Sequence, residues 1–402
     1  MRPMHSIPAR GGIDYDESPF LAIWEVTQSC DLACKHCRAE AQPIPHPDQL
    51  SHEEGKALID QIAEMHVPIF VFTGGDPLKR ADVFDLIRYA SSKGVQIAVT
   101  PSATPLLTRD SIQKLKEAGV VRLGISLDGS TPQIHDAFRG LPGAWARTIQ
   151  AIEWANEAGI PIQVHSTISR HNQHDLDGLC QLFEKLAIVM WNVFFLVPVG
   201  RGQLDDLLTG EDFEQVFGKI YELSQRVNFQ IKTTEAMHYR RYLLQHNLEE
   251  RKLGHGHGHP HGAAYEAGDP TADGRTRAMG WATRRVNDGK GFVFISHVGN
   301  VYPSGFLPIH AGNIRETPLA EIYRNAPIFK ALRDTSRLEG KCGACEYKEI
   351  CGGSRARAYA VTGDPLAQEP CCVYQPKNWD HELDAQAQAY RQMIAAGPLV
   401  TL

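Results

Sequence analysis

Residues 27–37 have the sequence TQSCDLACKHC, which spaces Cys30, Cys34 and Cys37 as C-x3-C-x2-C. The stretch follows a β-branched and aromatic run, Leu21–Thr27, which predicts a strand. Three thiolates this close together suit one iron–sulfur cluster, and a cube of four irons would then keep one iron open to a ligand. The sequence therefore predicts a cluster in the loop after the first strand. A zinc site, with His36 as the nearby fourth ligand, is the alternative.

The first half of the chain alternates short β-branched or aromatic runs with amphipathic stretches, the pattern of repeated βα units. The predicted strands are Leu21–Thr27, Val67–Thr73, Val95–Thr100, Val121–Leu127, Ile162–Ile168 and Val193–Val197. Helices are predicted at Ser51–Met65, where Ser51 and Glu54 are spaced as a capping box, and at Ala144–Ala158. Six units predict an α/β fold, a partial (β/α)6 TIM-like barrel that binds its ligands at the carboxyl ends of the strands.

The second half predicts a smaller unit. We expect an N-terminal segment at 1–18, the barrel at 19–230, a helical and Gly/His-rich connector at 231–290, and a small α+β iron–sulfur domain at 291–402. The patterns also predict a short strand around Phe229–Lys232, a β-hairpin from Gly291–Ser296 and Asn300–Pro303, and a helix at Trp379–Ala396. The run His255–His261 predicts a solvated loop, with metal coordination as the alternative.

Composition limits the partners and the compartment. The chain has 402 residues, 41 of them basic and 47 acidic, which leaves no excess of positive charge for binding nucleic acid. No apolar run is long enough for a membrane span or a signal peptide, so we expect a cytoplasmic protein without a membrane partner. In that reducing compartment the nine cysteines stay as thiols, and their clustering predicts metal binding. Cys180 stands alone on an apolar helical stripe and is expected in the core.

A second group of cysteines lies near the C-terminus. Cys342, Cys345 and Cys351 form a C-x2-C-x5-C pattern, and Cys371 and Cys372 follow about twenty residues later. Four thiolates can close an iron–sulfur cluster completely. A zinc ribbon is the alternative, because thiolate tetrads suit both metals.

Both cysteine motifs resemble those of the radical S-adenosylmethionine (SAM) superfamily, in members with a C-terminal SPASM domain. The resemblance implies that Cys30, Cys34 and Cys37 hold a [4Fe–4S] cluster whose open iron chelates SAM. It also implies that an electron, from a donor such as flavodoxin or ferredoxin, cleaves SAM to a 5′-deoxyadenosyl radical. A full SPASM domain carries two clusters; Ser304 and Ser354 stand where further cysteines are common. The resemblance therefore implies a single auxiliary [4Fe–4S] cluster here, held by Cys342, Cys345, Cys351 and either Cys371 or Cys372.

The resemblance also implies where SAM is contacted, although it assigns no catalytic side chain. The glycine-rich turn after the second strand corresponds to the family's Gly-Gly-Glu-Pro, with Asp76 in place of Glu. Two positions at the end of the fourth strand and one on the fifth correspond to ribose or carboxylate contacts, and a loop after the sixth corresponds to the adenine-binding loop. The implied SAM-binding residues are Gly74, Gly75, Asp76, Pro77, Ser126, Asp128, Thr167 and Val199.

For the substrate, the run CGGSRARAY at 351–359 resembles the subgroup of haem-biosynthesis enzymes and maturases of ribosomal peptides. This implies a radical modification of a small molecule, such as a tetrapyrrole side chain, or of a peptide. Only 29 residues precede Cys30, which we expect to be too few for a leader-binding domain. Propionate carboxylates suit arginine forks, and the candidates are Arg139, Arg170, Arg201, Arg355 and Arg357. A non-catalytic electron carrier or redox sensor is the alternative function, and it has no need of SAM.

Overall fold

A computed structural model describes residues 13–252, 286–377 and 379. Its strands β1–β10 are Leu21–Glu25, Ile69–Thr73, Ile97–Val99, Val120–Ser126, Ile162–Ile168, Met190–Phe195, Gln230–Thr234, Phe292–Ile295, Asn300–Tyr302 and Gly312–Asn313. Its helices α1–α12 are His52–Glu64, Val83–Ser92, Arg109–Glu117, Pro132–Arg139, Ala144–Ala158, Leu176–Lys185, Gly210–Ser224, Tyr239–Lys252, Leu319–Asn325, Pro327–Arg333, Gly340–Ala344 and Arg355–Thr362.

One sheet connects the strands in the order β10-β9-β8-β1-β2-β3-β4-β5-β6-β7. All neighbours from β8 to β7 are parallel, which confirms the predicted α/β class and the partial barrel. The sheet is wider than the predicted six strands. The strand expected near Phe229–Lys232 is β7 and pairs with β6, while β8 pairs with β1 on the other side. The predicted hairpin is confirmed by the antiparallel pair β8 and β9.

The helices form where their local signals lie. Ser51 and Glu54 make the predicted capping box at the start of α1, because each side chain accepts from the other's backbone N–H. Gly55 lets α1 lie close to β1, since a Cβ there would meet the Trp24 ring at 2.8 Å. Helix α5 has the predicted bounds, Ala144–Ala158, and Cys180 is buried in the core as predicted.

Burial along the strands separates the core from the inside of the barrel. On β5, Val164, Ser166 and Ile168 are buried, whereas the alternating His165 and Thr167 are half-buried. Because parallel strands end at one edge of the sheet, such inward side chains and the following loops surround a common space.

Some expectations fall outside the described residues: those for His255–His261 and most of Trp379–Ala396. Among the described helices, none combines the length and the apolar composition needed to cross a membrane.

Candidate active site

A cavity of about 1180 Å³ opens at the carboxyl ends of β1 to β6. Cys30, Cys34 and Cys37 all line it, so the three thiols of the first motif face one space. Cys30 and Cys34 are only 7% and 8% exposed. Burial raises the pKa of the Cys30 thiol.

Glycines in neighbouring loops hold the backbone of the cysteine loop. A Cβ on Gly75, after β2, would meet Ser29 O at 2.5 Å, and one on Gly200, after β6, would meet Cys37 O at 2.5 Å. Gly140, at the end of α4, approaches Ala33 O in the same way. Gly200 and Gly140 have φ of +62° and +68°, which suits glycine. Three loops thus fix the cysteine loop, and none tolerates a larger residue without displacing it.

The thiols also receive polar contacts. Leu32 N–H donates to Cys30 Sγ at 3.4 Å, and Arg139 Nη1 donates to Cys34 Sγ at 3.6 Å. Arg139 is held in turn by the buried Asp128, with Nε to Oδ2 at 2.7 Å. Although burial opposes its charge, the Asp128 carboxylate and Cys34 keep the pKa of Arg139 raised. Donors aimed at sulfur suit thiolates that carry a cluster.

Four of the predicted SAM-binding residues line this cavity: Gly74, Gly75, Ser126 and Thr167. The other four do not line it. Asp76 is fully buried and accepts from Thr104 Oγ1 at 2.7 Å, while Asp128 accepts from Thr167 N–H at 2.7 Å. The Asp76 carboxylate therefore holds the loop after β3, and the Asp128 carboxylate holds the end of β5. Pro77 begins a short 3-10 helix that Asp76 caps, and Val199 lies in the loop after β6.

Of the other lining residues, Phe194, Phe306 and Arg38 carry no motif that the sequence could have revealed, whereas His165 lies on the same predicted strand as the implied contact Thr167. Phe194, Phe306 and His165 add aromatic surface, and His165 stacks on Phe194 with the ring centroids 5.3 Å apart. Burial lowers the pKa of His165 to about 3, so its ring is neutral. Arg38 lines the wall, and its Nη2 donates to the buried Glu25 at 2.7 Å.

A second cavity, of about 430 Å³, lies in the C-terminal region and is lined by Cys342, Cys345, Cys351 and Cys372. Backbone N–H groups donate to three of these sulfurs at 3.3–3.4 Å: Glu369 to Cys342, Tyr347 to Cys345 and Gly353 to Cys351. Burial, followed by the charge of Cys342, raises the pKa of Cys372 to about 12. Four cysteines that line one cavity, three of them with backbone donors to sulfur, fit a fully ligated cluster.

Cys371 lies apart from this cavity. It is 2% exposed in the main hydrophobic core, and its Sγ donates to Leu208 O at 3.7 Å. The cavity therefore receives Cys372, whereas the core receives Cys371.

The five arginines predicted as candidates for binding propionate carboxylates lie in different parts of the structure. Arg139 lines the first cavity, and Arg201 follows Gly200 and donates its N–H to Cys37 O at 3.0 Å. Arg355 and Arg357 are fully buried near the second cavity, where Arg357 pairs with Glu369 at 3.0 Å. Arg170 lies after β5, and its N–H donates to Asp206 O. Burial of this kind gives Arg355 and Arg357 a structural role.

Comparison with known families is consistent with both cavities. Residues 24–183 match the radical SAM superfamily, and residues 287–346 match SPASM, an iron–sulfur cluster-binding domain. The AdoMet-dependent haem synthase of Nitratidesulfovibrio vulgaris is 41% identical over 89% of this chain and 93% of the relative. The Fe-coproporphyrin III synthase of Methanosarcina barkeri is 29% identical over 89% and 88%. The PqqA peptide cyclase of Rhodopseudomonas palustris is 26% identical over 89% and 88%.

A solved structure shows the same fold. Streptococcus suis SuiB bound to S-adenosylmethionine superposes with a TM-score of 0.64 at 14% identity, covering 89% of this chain and 78% of that one. Together, the family match and the relatives show an enzyme and exclude the non-catalytic alternative. The chain therefore belongs to the radical SAM superfamily, as an enzyme that cleaves SAM at a [4Fe–4S] cluster and carries an auxiliary iron–sulfur cluster in a C-terminal SPASM domain.

Proposed function

We propose that Cys30, Cys34 and Cys37 hold the SAM-binding cluster, and that the auxiliary cluster is held by Cys342, Cys345, Cys351 and Cys372. The shared cavities and the donors to sulfur support this ligand assignment. When bound, the first cluster supplies the electron that cleaves SAM to a 5′-deoxyadenosyl radical. The second has a thiol for each iron, so it keeps no position for substrate.

We also propose two roles for the residues near SAM. Gly74, Gly75, Ser126 and Thr167 contact SAM, because they line the cavity beside the three thiols. Asp76, Pro77, Asp128 and Val199 position the loops that carry those contacts. This division is supported by the hydrogen bonds of the buried Asp76 to the loop after β3 and of the buried Asp128 to the end of β5.

For the substrate, we propose an iron-porphyrin whose propionate side chains are converted to vinyl groups, giving haem. The observation that carries this proposal is the 41% identity, over nearly the whole chain, to an AdoMet-dependent haem synthase. Haem differs from iron-coproporphyrin III in having two vinyl groups in place of two propionates. Each conversion removes a hydrogen atom from the carbon attached to the ring. The bond to the carboxylate then breaks, a C=C bond forms, CO2 leaves, and one electron passes to an acceptor, for which the oxidised auxiliary cluster would serve.

Arg201 is our candidate for binding a propionate that is retained. Its Nε and Nη2 are buried, and neither has a hydrogen-bond partner among the residues that the structure describes. A carboxylate would satisfy both donors through the planar guanidinium fork. The backbone of Arg201 is bonded to Cys37 O, which keeps this residue next to the cysteine loop.

An anaerobic assay tests this function. Reconstituted enzyme with dithionite, SAM and Fe-coproporphyrin III should form haem and release two 5′-deoxyadenosines per haem. Arg201→Gln should raise the porphyrin concentration needed for half-maximal rate about tenfold, the effect of losing one charged hydrogen bond. Arg109→Gln is the control, because Arg109 is 68% exposed and paired with Glu157. Release of 5′-deoxyadenosine with an unchanged porphyrin, or with a modified peptide as the product, would contradict the proposal.

We also propose the electron donor, the compartment and the domain limits. The reductant is a small donor such as flavodoxin or ferredoxin, and the enzyme works in the cytoplasm, where thiol clusters stay reduced. We propose the domain limits 19–230, 231–290 and 291–402, within which the two family matches largely fall.

A further inference from the structure

His238 shares the second cavity with the four cysteine thiols. The residue lies between β7 and α8, is 1% exposed, and lines the same cavity of about 430 Å³. Its ring contacts Phe213 and Phe217, with centroid distances of 5.0 and 4.9 Å. One side of the imidazole is therefore packed against aromatic core, and the remaining space beside it is the cavity.

Neither ring nitrogen of His238 has a hydrogen-bond partner in the described part of the chain. In either protonation form at least one of these nitrogens carries a hydrogen. A buried donor left without an acceptor costs about 1–3 kcal/mol, so buried donors in folded proteins nearly always have a partner. The wall beside His238 offers sulfur acceptors, those of the four cysteines and of the cluster that they would hold.

We propose that His238 donates an N–H···S hydrogen bond to the auxiliary cluster and thereby raises its reduction potential. The inference rests on the proposed ligand assignment. Hydrogen bonds to the sulfurs of a cluster favour the reduced form, which carries one more negative charge. His238 acts as a positioning and tuning residue and not as a ligand, because four thiols already provide one ligand for each iron.

Other charged groups line the same cavity and would also affect the reduction potential of the auxiliary cluster. Arg241, Lys341 and Lys348 contribute positive charge, and Glu369 contributes negative charge. Lys341 Nζ donates to Cys372 O, and Arg241 pairs with Glu214 outside the cysteine set. Lys341 and Arg241 thus already donate to other groups, although Arg241 Nε, like both ring nitrogens of His238, has no partner among the described residues.

Two substitutions at position 238 test the hydrogen bond. His238→Phe keeps an aromatic ring against Phe213 and Phe217 but removes the N–H, and His238→Gln keeps an N–H donor. Holoenzyme of each variant is titrated anaerobically while the EPR signal of the reduced auxiliary cluster is followed. In the Phe variant the reduction equilibrium should shift about tenfold toward the oxidised cluster, which is about 59 mV for one electron. The Gln variant should recover part of that shift.

Phe217→Leu is the control, since it alters the packing of the ring and leaves the N–H in place. Iron and acid-labile sulfide are counted for every sample, so a missing auxiliary cluster is recognised as failure of the ligand assignment. With the cluster present, an unchanged potential in the Phe variant would overturn the inference. An equal shift in Phe217→Leu, or hyperfine coupling showing a histidine nitrogen bound directly to iron, would overturn it as well.

Discussion

At the scale of single residues, a buried ion pair supports the first cysteine motif. Asp128 is fully buried and pairs with Arg139, whose Nη1 lies 3.6 Å from Cys34 Sγ. From the sequence, Asp128 was predicted as a SAM contact and Arg139 as a candidate for binding a propionate carboxylate. It did not reveal that they bind each other, because a pairing between separate loops leaves no local pattern.

Replacing Asp128 should destabilise the protein more than its small change in size suggests. Asp128→Asn leaves the Arg139 charge buried without its partner, and we expect the free energy of unfolding of the cluster-free protein to fall by about 3 kcal/mol. Urea unfolding followed by fluorescence measures this change. The double variant Asp128→Asn/Arg139→Met should recover much of the loss. Equal stability of Asp128→Asn and wild type would show that the pair is not coupled.

Other predictions about single residues depended only on motif spacing and could be made from the sequence. The C-x3-C-x2-C spacing predicted three thiols in one loop, and all three line the first cavity. The choice between Cys371 and Cys372 was beyond the sequence, because the two are adjacent and chemically identical. Packing against Leu208 separates them. His238 carried no signal, since its partners come together only in the folded chain.

At the scale of elements, loops position the cysteine loop by close backbone contact, and glycine provides the room. Gly200→Ala would place a methyl group 2.5 Å from Cys37 O and strain a backbone with φ of +62°. We expect this variant to lose iron from the first cluster and to keep the auxiliary cluster, as measured by iron content and EPR after anaerobic reconstitution.

Gly94→Ala provides the matched control for that experiment. Gly94 has φ of +80°, but a Cβ there meets nothing within 4 Å, so the substitution adds the backbone strain without the clash. The strain alone costs about 1–2 kcal/mol. Should Gly94→Ala lose as much iron as Gly200→Ala, the contact with Cys37 would not be the cause.

The capping box of α1 links that helix to the C-terminal region and makes its stability depend on pH. Glu54 accepts from Arg315 Nε at 2.6 Å, and this bond, followed by that from the Ser51 N–H, lowers the pKa of Glu54 to about 2. Its pKa in the unfolded chain is about 4.3. The carboxylate therefore stabilises the fold at neutral pH, and the contribution is lost as the pH falls from about 4 toward 2.

Glu54→Gln should accordingly lower the free energy of unfolding at pH 7 by at most about 1 kcal/mol, since the side chain is 37% exposed. Urea titrations of cluster-free protein between pH 7 and 3.5 should show the gap between variant and wild type narrowing on acidification. A gap that stays constant or widens would mean that the charge of Glu54 is not responsible.

At the scale of the whole molecule, the sheet extends across the proposed domain limits. The βα alternation predicted the barrel class and six of its strands, because periodicity is a local property. It did not predict that β8 pairs with β1, in the register Leu21↔Phe292, since strand neighbours far apart in sequence depend on the packing of the whole chain. The C-terminal region thus begins as an extension of the barrel sheet, with the two cysteine-lined cavities on one framework.

The central claim is that the first cysteine loop holds a cluster with one iron open to SAM. The most direct measurement is electron–nuclear double resonance on the reduced enzyme with SAM labelled with ¹⁵N and ¹³C in its methionine amino and carboxyl groups. Both labels should couple to one cluster, and the coupling should be lost in Cys34→Ala and retained in Cys372→Ala. Absence of coupling in the fully loaded enzyme, or its loss only in Cys372→Ala, would contradict the account.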